Sequence, residues 1–146
     1  MMIPDVNILV HAHNSDFSGH AEVKRWWEQA LNGEHGEIGL AWAAILGFLR
    51  LTTNRTVFVG PLPIHEATRI VRSWLAMDTT RLVAPGPEHA DLLFRLLERS
   101  GAAGNLTTDA HLAALALEHR ATIVSTDADF ARFAGLRWFN PRSSLH

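Results

Sequence analysis

The chain has 146 residues, 47% of them hydrophobic, a net charge of -2 and no cysteine. That length and composition fit one domain, residues 1 to 146, with a core of its own. The lack of cysteine excludes a disulfide framework, a zinc ribbon and a thiol nucleophile, and the slight acidity excludes a protein that coats nucleic acid by bulk electrostatics.

Met2 to Leu9 reads as a short central strand that breaks near Asp5 and runs into a helical turn, with Pro4 where no ladder donor is needed. Asp5 and Asn7 are polar groups inside an otherwise apolar segment, and an unpaired charge there is expensive. After the turn residues Asn14 to Gly19, Val23, Trp26, Trp27, Ala30 and Leu31 recur at helical spacing. They predict an amphipathic helix over residues 20 to 32, ended by Asn32-Gly33. Glu37 to Ala41 predicts a second strand, and Trp42 to Thr52 an almost wholly apolar helix. The longest uncharged apolar run, Ile38 to Leu49, is about half a membrane span, and no basic leader precedes a cleavage site. The expectation is a soluble, cytoplasmic protein with no membrane partner. Ala67, Ile70, Val71, Trp74 and Leu75 then mark a third amphipathic helix.

Arg81 to Ala84 is a weak strand closed by Pro85-Gly86-Pro87. Glu88 to Arg99 is helical, with Leu92, Leu93, Leu96 and Leu97 on one side and Gly101 and Gly104 ending it. Thr107 or Thr108 caps the next helix and puts Asp109 in its first turn, where the macrodipole stabilises an anion by roughly 0.3–1 kcal/mol. The run Leu112 to Leu117 is apolar nearly all round and must be central. Ala121 to Val124 is a buried strand that stops abruptly in Ser125-Thr126-Asp127-Ala128-Asp129. A short helix over Asp127 to Phe133 and an edge strand over Leu136 to Phe139 complete the chain. Strands alternating with helices predict an α/β fold with right-handed crossovers and a mostly parallel sheet covered on both sides.

Carboxylates just past the carboxyl ends of parallel strands sit where such sheets form their ligand crevice. Asp5, Asp109 and Asp127 each adjoin a segment that must be buried, so their convergence is expected. Two carboxylates about 4 Å apart repel by roughly 4 kcal/mol at an effective dielectric near 20, so a bare cluster takes up protons or collects a cation. Oxygen-only ligation selects Mg²⁺ or Mn²⁺, and the chemistry such an ion supports is phosphodiester hydrolysis by an activated water. Structural roles stand beside this reading. Asp109 suits a first turn, Asp127 and Asp129 suit the N-cap and first turn of the last helix, and Asn7 suits local backbone. No His-Glu-x-x-His, Gly-x-Ser-x-Gly or P-loop pattern occurs. His11, His13 and His111 read as surface or structural. The basic residues are twelve Arg and one Lys, and Arg suits planar recognition of phosphate.

Asp5-Val6-Asn7, Gly104-Asn105 through Thr108-Asp109-Ala110-His111, and Ser125-Thr126-Asp127-Ala128-Asp129-Phe130 resemble, in order and spacing, the motifs of PIN-domain ribonucleases, and within them the VapC-type toxins of toxin–antitoxin modules. The resemblance covers essentially the whole chain. It implies a PIN-like three-layer fold, with Asp5, Asp109 and Asp127 as catalytic, metal-binding acids and Asp129 as either an additional acid at the metal or one that stands behind its ligands. Asn7 matches the polar residue after the first acid, and Ser125 the small hydroxyl residue before the fourth. It further implies RNA cleavage assisted by Mg²⁺ or Mn²⁺, a homodimer, and a cognate antitoxin. One departure stands out: the family pattern has a glutamate on the helix after the second strand, whereas Trp42 to Phe48 holds no acid and Glu37 precedes the strand. Two expectations follow, a nuclease with weakened metal binding or an antitoxin-binding module with an inactive site. A third reading takes Asp127-Ala128-Asp129 as an aspartate-nucleophile phosphatase motif, against which only 17 residues follow Asp129.

Overall fold

The computed structural model describes residues 1–101 and 104–142, with Asn105 as backbone only; Ala102, Ala103 and residues 143–146 lie outside the described residues. Its elements run β1 (Met2–Pro4), α1 (Val6–His11), α2 (His20–Leu31), β2 (Ile38–Ala41), α3 (Trp42–Thr52), α4 (Ile64–Leu75), β3 (Thr80–Val83), α5 (His89–Ser100), α6 (Thr107–Glu118), β4 (Thr122–Val124) and β5 (Arg137–Phe139). Single turns of 3₁₀ helix at Gly104–Leu106 and Ala128–Arg132 precede α6 and follow β4. Gly101 closes α5 in the left-handed conformation at φ 63, where a side chain would be strained.

The strands form one parallel sheet in the order β3-β2-β1-β4-β5. Pro4 is tolerated in the central strand because pairing with β2 is confined to Met2 opposite Ile38. On the other side Asp5 N–H resumes the ladder by donating to Val124 O at 2.9 Å. Alternation along each strand divides the core. Ile38, Leu40 and Val124 join Ile8, Leu9, Trp27, Ile45, Phe48 and Trp74 of α1 to α4 on one face. Ile3, Ala41, Val83 and Ile123 join Leu96 of α5, Leu112 and Leu115 of α6, and Phe130 on the other. The result is the three-layer arrangement, helices on both sides of a parallel sheet, expected from the alternating elements.

α6 is the most buried helix, with Ala110 and residues 112 to 116 all inside. One local expectation fails. Neither Thr107 nor Thr108 caps α6; its N-cap position is Leu106, with no side-chain cap bond, because the 3₁₀ turn leads directly into the helix. Asp109 nonetheless falls in its first turn. Among the described residues no helix is long and apolar enough to cross a membrane.

Candidate functional site

Strand order reverses at β1. The chain builds β2 and β3 on one side of it and then crosses to β4 on the other, which opens a crevice at the carboxyl ends of β1 and β4. Asp5 follows β1 directly and Asp127 lies three residues past β4. Asp5 is the N-cap of α1, its Oδ1 accepting from Val6 N–H at 2.7 Å. Asp127 is the N-cap of the last 3₁₀ turn and accepts from Asp129 N–H at 2.9 Å. The local capping roles and the placement at strand ends are therefore the same fact: a cap at a strand-to-helix turn fixes a carboxylate at the rim of the sheet.

The fully buried Ser125 hydroxyl ties these residues together. It donates to Asp5 Oδ2 at 2.9 Å and accepts from Asn7 Nδ2 at 3.1 Å and from Asp127 N–H at 3.0 Å. Those three bonds use its one proton and both lone pairs. Asn7 Oδ1 also accepts from Thr126 N–H at 3.3 Å, so the amide spans α1 and the turn after β4. From the edge strand, Trp138 Nε1 donates to Ser125 O at 3.0 Å. Nothing in the local sequence marks Trp138, because the pairing of Ile123 with Trp138 follows from strand register, which no local pattern encodes.

Asp109, Asp127 and Asp129 each offer a carboxylate oxygen within 4.8 Å of the others, the one such group of three among the described residues. Asp5 lies outside that group, 4% exposed, with both oxygens engaged by Val6 and Ser125. It remains part of the same electrostatic unit. Burial, together with the charges of Asp5, Asp127 and Asp129, pushes the Asp109 carboxyl up to about 7. Burial raises Asp5 to about 6 against the lowering effect of its two hydrogen bonds, and Asp127 adds to the rise. Arg132 reaches Asp129 at 3.6 Å as an exposed pair; among the described residues no Lys or Arg forms an ion pair with Asp5, Asp109 or Asp127. The fold thus holds several carboxylates together and neutralises only one of them.

A protein-family model for the PIN domain matches residues 2–136. The chain belongs to the PIN-domain family. Ribonuclease VapC33 of Mycobacterium tuberculosis is 44% identical over 141 residues, covering 97% of this chain and 98% of that protein. Ribonuclease VapC37 of the same organism is 46% identical over 145 residues, covering 99% and 100%. Relatives of that similarity over their whole length place this PIN domain in the VapC group. A toxin–antitoxin complex from Klebsiella pneumoniae shares the fold, with a TM-score of 0.65 at 18% identity over 97% of this chain and 98% of the matched chain.

In this PIN domain the helix that lacks an acid is α3. α3 approaches the site through Gly47, where a Cβ would stand 2.5 Å from Val6 Cγ2. Val6 is the neighbour of Asp5, so at this contact α3 has no room for a side chain. Glu37 is no substitute: it sits at the amino end of β2, paired with Arg81 at 3.4 Å, at the opposite end of the sheet from the aspartates. The histidines His13 and His20 bond the carbonyls of Leu9 and His11 through Nδ1, and His89 bonds His111 at 3.0 Å, which are structural roles.

Proposed function

We propose that the chain is a metal-dependent endoribonuclease, the toxin of a toxin–antitoxin pair, that hydrolyses RNA phosphodiester bonds at the aspartate cluster. The observation that carries this reading is the group of Asp109, Asp127 and Asp129 oxygens within 4.8 Å of one another, in a chain whose relatives are named ribonucleases. An all-carboxylate set with its charge largely unneutralised fits a hard divalent ion, Mg²⁺ or Mn²⁺, better than any softer metal. Once bound, that ion supplies Lewis acidity toward a phosphodiester and an attacking water.

The residues of the chain divide the remaining work. Asp109, Asp127 and Asp129 would hold the ion, and the buried Asp5 adds its charge to the set. Ser125 and Asn7 are positioning residues, keeping Asp5 and the turn carrying Asp127 in register. The domain extends over residues 1 to 146 and works in the cytoplasm as a homodimer. Its cognate antitoxin is a protein partner of the kind present in the Klebsiella complex.

A second reading is favoured by α3: with no acid from Trp42 to Phe48 and no space at Gly47, the chain would be a PIN-fold module that binds an antitoxin with a weakened or inactive site. Incubation of structured cellular RNA with the purified chain in Mg²⁺, in Mn²⁺ and in chelator separates the two. Products that require the metal are expected. A folded protein that cleaves nothing with either metal would leave the binding module as the better description.

A further inference from the structure

A polyanionic substrate is repelled by a cluster of carboxylates, so a nuclease of this type needs cations beside its acids to hold the strand that it cuts. Among the described residues, one cavity adjoining the cluster offers this. It has a volume of about 230 Å³ and is lined by Ala43, Leu46, Gly47 and Arg50 of α3 and by Thr108 of α6. Its position is fixed at two points: Thr108 precedes Asp109 in the first turn of α6, and Gly47 packs on Val6 beside Asp5.

The lining differs in chemistry from the acids next to it. Arg50 is exposed, and its guanidinium has no ion-pair or hydrogen-bond partner among the described residues, whereas Lys24, Arg69, Arg81 and Arg132 each pair with a carboxylate. Among the described residues no acid lines the cavity. The amino end of α6, whose dipole favours an anion, opens beside it. Trp42, Leu46 and Arg50 follow one another four residues apart on a single face of α3. Trp42 and Leu46 are 52% and 60% exposed, so an apolar stripe adjoins the unpaired cation. Arg50 and the Thr108 hydroxyl line the cavity from two helices, and Trp42 stands beside it on the α3 stripe; a cation, a hydroxyl and a neighbouring exposed aromatic suit the phosphate, sugar and base of a nucleotide.

A second cavity also carries arginine, Arg120 and Arg137, yet it lies at the amino ends of β4 and β5, away from the aspartates. There Arg137 already donates to Arg120 O. The cavity at α3 is therefore the one placed to touch a strand entering the acid cluster.

We infer that the α3 cavity is a binding site for the nucleotide flanking the bond that is cut, with Arg50 as the ligand of its phosphate and Trp42 and Leu46 as the surface for its base. This inference rests on the ribonuclease reading above. It assigns the neutral-to-basic α3 wall, where the family pattern has an acid, to substrate binding.

The test is fluorescence anisotropy of labelled single-stranded oligoribonucleotides on the full chain carrying Asp109→Asn to prevent turnover, with and without Arg50→Ala. Arg50→Ala is expected to weaken binding about tenfold across unrelated sequences and to lower the slope of log Kd against log salt by about 0.7, the value for one phosphate contact on a single strand. Arg50→Lys should restore the slope. Trp42→Ala should weaken binding roughly tenfold with the slope unchanged. Mn²⁺ binding by Arg50→Ala in the otherwise natural chain should be unaltered, as should its circular dichroism. Equal affinity and slope in the Arg50→Ala protein would overturn the site. So would sedimentation showing that Trp42→Ala or Arg50→Ala dissociates a dimer while RNA binding stays intact, which would give the stripe to a second copy of the chain. If the natural chain cleaves RNA but Arg50→Ala binds it normally, the nuclease stands and the phosphate site falls. If Arg50→Ala loses binding while the natural chain cleaves nothing, the phosphate site stands and the nuclease falls.

Discussion

The two ends of α6 carry carboxylates in opposite circumstances. At its carboxyl end Glu118 accepts from the backbone N–H groups of Gly86 at 2.7 Å and Glu88 at 3.0 Å, and these bonds hold its carboxyl below the usual range. At its amino end Asp109 is surrounded by burial and by three other aspartates, which raise it to about 7. Glu118 has been given donors by the protein and fastens the loop before α5. Among the described residues Asp109 meets only like charges, and a fold that leaves carboxylates in that state has left room for something from outside.

The comparison breaks most sharply at Asp109 itself. Asp109→Asn keeps the shape and removes the charge, so RNA cleavage should fall on the order of 10³-fold while the cation-free protein melts at a higher temperature. Single-turnover cleavage and a thermal melt in chelator check both halves. Ser125→Ala acts next. It strips the buried Asp5 of one hydrogen bond and frees Asn7 and the Asp127 turn, so denaturant titration should show a loss of about 2 kcal/mol, and Mn²⁺ affinity should drop roughly 10- to 100-fold.

Acidity sharpens the comparison without any substitution. Asp5 and Asp109 titrate at about 6 and about 7 in the folded chain against an ordinary 3.8. Between roughly pH 4 and pH 7 the folded state therefore holds more protons than the unfolded one. Stability of the cation-free chain is greatest at the acid end of that window and is lost as pH rises through 6 and 7. Urea midpoints measured across this range in chelator should fall with rising pH, and saturating Mn²⁺ should reverse the trend, since the ion displaces those protons. The smallest effect belongs to Glu118→Gln, which keeps the shape of the latch but weakens it. A modest drop in melting temperature with a cleavage rate within about twofold of natural is expected.

How much of this was legible in the sequence depends on how local the cause is. Apolar spacing located α2, α4 and α5, and unbroken apolar runs located α3, α6 and the break at Asp5, because both signals are properties of neighbouring residues. The candidate acids were legible because each interrupts, opens or follows an apolar run. Their differing depths were not. Asp5 lies outside the oxygen cluster because Ser125, 120 residues away, draws its carboxylate inward. The missing cap on α6 and the clamp from Trp138 likewise depend on how the chain returns to itself. The absent acid of α3 was visible as a gap in composition; only packing shows that Gly47, pressed against Val6, is a position that could not carry one.

Uptake of a divalent ion by the aspartate cluster is tested most directly by a calorimetric titration of the natural chain and of Asp109→Asn with Mn²⁺ at about pH 6 and about pH 7.5, in buffers of different ionisation heat. Saturable binding that releases protons, tightens at the higher pH and is lost in Asp109→Asn is the predicted result. No saturable binding by the natural chain, or equal binding by both proteins, would contradict it.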